Sequence, residues 1–134
     1  MWLSTKTRYG LKAIYEIAIN NNKPIALNTI ASKHDISLSY LEQIIALLKK
    51  NELIKSTRGP HGGYSLAKPP ENICVGDIIR ALEGSYAPTE CVEQSDLCDQ
   101  HTSCVTHYVY KKINDSITEV VDHMTLKDLT EKGL

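Results

Sequence analysis

Between residues 28 and 66 the hydrophobic period of the chain switches from helical to strand-like with almost no connecting sequence, and this limits the available folds. A short helix fits Asn28–His34, with Asn28 as its N-cap. Asp35, Ile36 and Ser37 make a tight turn. A second helix fits Leu38–Lys50, capped by Ser37. Leu41, Ile44, Ile45 and Leu48 share its inward face, while Ser39, Tyr40, Glu42 and Gln43 point outward near its N-terminus. Ala31 is small where the two helices cross, and Ile36 fills the space between them. Next come a strand candidate at Leu53–Thr57, the turn segment Arg58-Gly59-Pro60-His61-Gly62-Gly63 and a returning strand at Tyr64–Leu66.

Two short helices joined by a three-residue turn form a helix-turn-helix. A hairpin directly behind it makes the unit a winged helix. Upstream, residues 4–20 read as a helix, with Leu11, Ile14, Tyr15 and Ala18 on one stripe and Ser4 or Thr5 as the cap. Pro69 and Pro70 close the unit, and a helix at Val75–Glu83 ends at Gly84. Charge follows the same division. Residues 1–70 hold ten Lys/Arg against four Asp/Glu, and residues 71–134 hold five against twelve. A basic first half suits a polyanion, and the acidic second half would be repelled by one.

Residues 85–103 read as an irregular loop with no Lys or Arg. A loop of this length in a compact domain is expected to carry function or to be disordered. A long helix follows from about Cys104 to His123, roughly 30 Å in length. Val105, Tyr108, Val109, Ile113, Ile117, Val120, Val121 and Met124 form its apolar stripe. The stripe is expected to pack on a two-fold mate, giving a homodimer; folding back on its own domain is the alternative. Thr125 and Asp128 resemble a capping box for a final helical turn. The expected division is therefore a head at 1–84, a loop at 85–103 and a dimerisation segment at 104–134. The fold class is mainly α, with a small β-hairpin wing.

Four cysteines occur, and Cys91, Cys98 and Cys104 cluster as C-x6-C-x5-C, with His107 three residues further on. Three thiolates close in sequence favour zinc, copper(I) or iron–sulfur. Structural zinc sites use short C-x2-4-C pairs, which are absent here, and wider spacing suits a cluster of several metal atoms. A thiol–disulfide switch is the metal-free alternative. Cys104 and His107 stand at i, i+3 on a helix and can face one site. His107 is the candidate fourth ligand and His101 the reserve; either would raise the potential, which the loop's carboxylates would oppose. Cys74, between Ile73 and Val75, reads as packing.

The opening Leu3-Ser4-Thr5-Lys6-Thr7-Arg8-Tyr9-Gly10, the helix Ser37-Leu38-Ser39-Tyr40-Leu41-Glu42-Gln43, the wing Arg58-Gly59-Pro60-His61-Gly62-Gly63-Tyr64 and the three spaced cysteines resemble the iron–sulfur winged-helix regulators typified by IscR. The resemblance covers nearly the whole chain. It implies a cytoplasmic bacterial homodimer that binds double-stranded DNA at a palindromic operator. It also implies one [2Fe-2S] cluster per subunit, held by Cys91, Cys98, Cys104 and His107, and control of iron–sulfur assembly genes. A sister branch sensing nitric oxide uses a [4Fe-4S] cluster and an acidic residue from the first helix. Arg8 occupies the comparable position here and cannot serve, so [2Fe-2S] is favoured over [4Fe-4S]. The gap between Cys91 and Cys98 is one residue longer than in the best-known members.

On this reading the helix 38–50 enters the major groove. Gln43 can pair with adenine, and Glu42 can accept from cytosine, with Ser39 and Tyr40 beside them. Arg58 suits a narrow minor groove, while Gly59 and Gly62 allow close backbone approach or simply serve the turn. Lys6, Arg8, Lys12, Lys49, Lys50 and Lys55 are candidate phosphate contacts. Cluster gain, loss or oxidation is expected to reorder the loop and shift the spacing of the two recognition helices. No membrane span, secretory leader or small-molecule substrate is expected. No nucleophile–base pair or phosphate loop suggests an enzyme.

Overall fold

The computed structural model describes residues 3–84 and 104–132. Its helices are α1 (Thr5–Ala18), α2 (Leu27–His34), α3 (Leu38–Lys50), α4 (Val75–Glu83), α5 (Val105–His123) and α6 (Leu126–Glu131). A hairpin, β1 (Ile54–Thr57) and β2 (Gly63–Leu66), lies between α3 and a 3-10 turn at Pro70–Asn72. The strands pair antiparallel, from Ile54 opposite Leu66 to Thr57 opposite Gly63. The architecture is the mainly helical winged helix-turn-helix expected, with a long helix behind it.

The caps explain where the elements begin. Ser4 accepts from the Thr7 amide at the start of α1, and Ser37 accepts from the Tyr40 amide at the start of α3. Asp35 ends α2 in the left-handed region (φ 52°), turning the chain within three residues. One expectation fails. Asn28 does not cap α2, which starts one residue earlier behind Ala26 with no side-chain cap. The cause is tertiary: Ile25 exchanges two 2.9 Å backbone hydrogen bonds with Tyr64, and this bridge to the wing sets the entry of the helix.

One core serves all the head elements. Ile14 and Ile17 from α1, Ile30 from α2, Leu41, Ile44 and Leu48 from α3 and Ile78 from α4 are almost wholly buried in it. Ala31 and Ile36 are buried where the two short helices cross. Each large side chain buried in this way contributes roughly 1.5–3 kcal/mol. A buried acid adds a polar tie: Glu16 on α1 meets the Lys33 ammonium at 2.9 Å and the His34 ring at 3.0 Å, both in the last turn of α2. The chain beyond α5 returns to this core, where Leu126 is completely buried.

A second polar tie closes the far end of the head. The Glu83 carboxylate, at the end of α4, accepts from the Ser4 amide at 3.0 Å, from the Ser4 hydroxyl and from the Thr7 hydroxyl at 2.6 Å. It therefore sits at the positive end of the α1 dipole. Burial raises its pKa, but the hydrogen bonds from Ser4 and Thr7 and the charge of Lys6 outweigh burial and hold it below the ordinary glutamate value. A depressed carboxylate contributes stability above its unfolded pKa of about 4.3 and loses it as pH falls through the lower folded value. Glu83→Gln is expected to cost about 1 kcal/mol at neutral pH in urea unfolding. The gap to wild type should shrink below about pH 4; a constant gap would show that the charge is not involved.

Candidate nucleic-acid interface and metal centre

The recognition helix α3 is held from behind and bare in front. Leu41, Ile44, Ile45 and Leu48 are buried, while Ser39, Glu42 and Gln43 are exposed on the opposite face. Helical periodicity creates this split, and the core turns it outward. Tyr40 behaves differently from its neighbours. It is half-buried, packed against the core, and its ring meets the Tyr9 ring edge-on at 6.2 Å with an interplanar angle of 88°. Tyr40 therefore braces the N-terminus of α3 against α1.

Tyr9 is a residue at this candidate interface that residue-by-residue reading passes over. The Arg8 guanidinium lies 5.7 Å and the Lys12 ammonium 5.3 Å from its ring centre. Both cations lie within cation–π range of that ring, beside the start of α3. The alternation of Arg8, Tyr9 and Lys12 on one helix turn was the available signal. Lys49 and Lys50 close α3, where cations suit the helix dipole, and the Lys49 ammonium donates to the Ser56 hydroxyl at 3.1 Å.

At the wing, Arg58 is exposed just past β1. Gly59 has φ +109° with open space where a side chain would stand, so its glycine answers to backbone conformation. Gly62 answers to the hairpin itself, because a Cβ there would lie 2.2 Å from the Thr57 carbonyl.

Of the expected metal ligands, Cys104 and His107 are described, whereas Cys91, Cys98 and the reserve His101 lie outside the described residues. Cys104 is the N-cap of α5, and His107 sits in its first turn. The backbone amides of His107 and Thr106, in the first turn of α5, hold the Cys104 pKa below the ordinary thiol value, against a smaller opposing effect of burial. A sulfur presented in this way is favoured as thiolate, the form that binds metal. Among the described residues no three His, Cys, Asp or Glu side chains converge on one point. Cys74 is half-buried and caps α4: its sulfur accepts from the Asp77 amide at 3.4 Å, and Asp77 accepts from the Cys74 amide at 3.2 Å.

The long helix is bare over much of its surface. Val105, Tyr108, Val109, Ile113, Val120 and Met124 are exposed, with Val105 at 74% and Tyr108 at 63%. Ile117 and Val121, from the same stripe, pack instead on Val75 and Ile79 of α4. The stripe thus divides between a shorter intramolecular contact and a longer uncovered face. Among the described residues no helix is long and apolar enough to cross a membrane.

Comparison with known proteins agrees with this architecture. The chain is 38% identical to the HTH-type transcriptional regulator IscR of Escherichia coli, over 96% of this chain and 80% of that protein. Among solved structures it is similar to IscR of T. potens, with a TM-score of 0.80 and 41% identity over 98% of this chain and 87% of that one. It is also similar to CymR, the global cysteine regulator of B. subtilis, with a TM-score of 0.78 and 38% identity over 96% and 95%. Members are named as transcriptional regulators, not enzymes. The family profile described as Rrf2, iron-dependent transcriptional regulator, spans residues 3–132, and the chain belongs to this family.

Proposed function

We propose that this transcriptional regulator is a cytoplasmic homodimer that senses iron–sulfur status through a [2Fe-2S] cluster held by Cys91, Cys98, Cys104 and His107. The observation that carries the reading is the placement of Cys104 at the N-cap of the helix whose first turn also bears His107. A soft thiolate and an imidazole one helical turn apart suit an iron site with mixed ligands. When bound, the cluster supplies an iron centre that is sensitive to loss and oxidation. The chain's own part is to gather thiolates ahead of α5 and to couple their arrangement to the head. Residues 1–84 then form the DNA-binding head, 85–103 the ligand-bearing segment and 104–134 the dimerisation segment.

The exposed face of α5 is the dimer surface in this reading, since Val105, Tyr108, Val109 and Ile113 would otherwise stay in water. Two heads joined by such a pair would read a palindromic operator. Ser39, Tyr40, Glu42 and Gln43 would face the major groove, while Arg58, Gly59 and Gly62 would approach the minor groove. Genes of iron–sulfur assembly are the proposed targets, under repression. A second reading has a specific support: the likeness to CymR, a cysteine regulator, and the depressed Cys104 thiol favour a cluster-free thiol or zinc regulator as the competing proposal.

Three outcomes separate and check these proposals. Protein purified without oxygen should be coloured and contain iron and sulfide, and Cys104→Ala should abolish the visible absorption. A colourless, iron-free wild type that resists reconstitution would select the thiol regulator. Val109→Asp is expected to give a monomeric mass by light scattering while leaving the head folded; a dimer that survives would move the interface elsewhere. Arg58→Ala should weaken operator binding by about 1–3 kcal/mol in a gel-shift titration, and unchanged affinity would remove the wing from the contact.

A further inference from the structure

The long helix meets its own head through a small set of contacts on α4. Its described attachments to its own head lie toward its C-terminal end. Ile117 and Val121, one turn apart, rest on Val75 and Ile79, also one turn apart. Just beyond, the Val75 amide donates to the Met124 carbonyl and the Leu126 amide to the Ile73 carbonyl, both at 2.8 Å. The backbone bridge anchors only the C-terminal end of α5, and the four aliphatic side chains in two short rows form a contact that by itself has no preferred direction. A polar contact beside that row can supply the direction, because hydrogen-bonded ion pairs have fixed geometry.

Such a contact is present. Asp122 and Arg80 each follow a residue of the aliphatic rows, and the Arg80 guanidinium meets the Asp122 carboxylate at 2.9 Å. Arg80 also reaches Asp77 at 3.2 Å, so the N-terminal turn of α4 holds the guanidinium in place. The Cys74 thiol donates toward the same Asp122 oxygen at 3.8 Å. Desolvation raises the pKa of that thiol, and the nearby Asp77 and Asp122 charges push it the same way, so it stays a donor. Gly76 makes the approach possible. A Cβ at this position would lie 1.9 Å from the Asp122 oxygen and 3.0 Å from the Arg80 guanidinium. Glycine here is unexplained by α4 alone, since glycine costs roughly 1 kcal/mol within a helix, and it is explained by the ion pair.

We propose that Arg80 and Asp122 are positioning residues, whose ion pair over the bare Cα of Gly76 sets the angle between the head and the long helix and thereby the half-site spacing that a dimer can span. The inference rests on the dimeric DNA-binding reading and adds to it the residues that determine spacing. In a two-fold dimer joined through α5, any swivel of the head about the Ile117–Val121 row carries its recognition helix along the DNA. Two heads move in opposite senses, so the angle becomes a distance between half-sites.

The test uses the full-length protein as purified without oxygen and one palindromic duplex recovered from random-sequence DNA by selection with the wild type. That duplex is rebuilt with its centre one base pair shorter and one longer, and the ratio of affinities is measured for each variant. Asp122→Ala and Gly76→Ala are expected to lower the wild-type preference for the parent spacing by about threefold, as suits a half-buried ion pair. Asp122→Asn should retain most of the preference, because its amide oxygen still accepts from Arg80. Arg80→Ala is the second route if Asp122→Ala fails to fold. A lowered melting temperature with an unchanged spacing ratio in folded, dimeric Gly76→Ala and in Asp122→Ala or Arg80→Ala would overturn the inference alone. A wild type that is monomeric or selects no palindrome would overturn the dimeric DNA-binding reading and this inference with it.

Discussion

The shared burial of α1, α3 and α4 is the constraint from which the rest of the molecule follows. Ile14, Leu41, Ile44 and Ile78 meet in one core, so no helix of the head can rotate without exposing apolar surface. That core gives α3 a unique orientation, with Glu42 and Gln43 facing away from it. It also brings Tyr40 within reach of Tyr9, so that a ring contact joins the reading helix to the cationic turn of α1. Position is thus decided by apolar packing, and polar groups are added where packing leaves them a place.

Three polar ties among the described residues join one element to another beside the apolar core. Glu16 joins α1 to α2, Glu83 joins the end of α4 to the start of α1, and Asp122 joins α5 to α4. Buried or half-buried carboxylates need partners, and each has at least two. Their worth lies in direction more than in energy. Half-exposed pairs contribute little stability, but they select one of several arrangements that the aliphatic contacts would tolerate.

The pattern of residues 28–66 made the winged helix legible. The spacing of Leu41, Ile44, Ile45 and Leu48 can be satisfied only by a helix with one buried face, and the glycines at 59, 62 and 63 interrupt any continuous strand. The capping of α1 by Ser4, of α3 by Ser37 and of α6 by Thr125 with Asp128 was equally readable, because a cap is local chemistry. Asn28 misled for the complementary reason. The start of α2 is imposed by Ile25 pairing with Tyr64, a contact across 39 positions that no local preference encodes. Cys74 misled in a milder way, since its apolar neighbours suggested packing while its sulfur caps α4.

Local patterning, then, settled which segments are helices and which face of each is apolar, and it offered candidates for metal and DNA contact. Those properties depend on residues within a turn or two of one another. Three-dimensional packing alone decided that Tyr9 braces Tyr40, that Gly62 serves hairpin closure, and that the stripe of α5 is split. Ile117 and Val121 lie against the head while Val105, Tyr108 and Val109 stay bare. Periodicity treats these stripe residues alike, because they share one apolar pattern. Only the placement of α4, fixed by the distant core, determines where the helix finds a neighbour and where it still needs one.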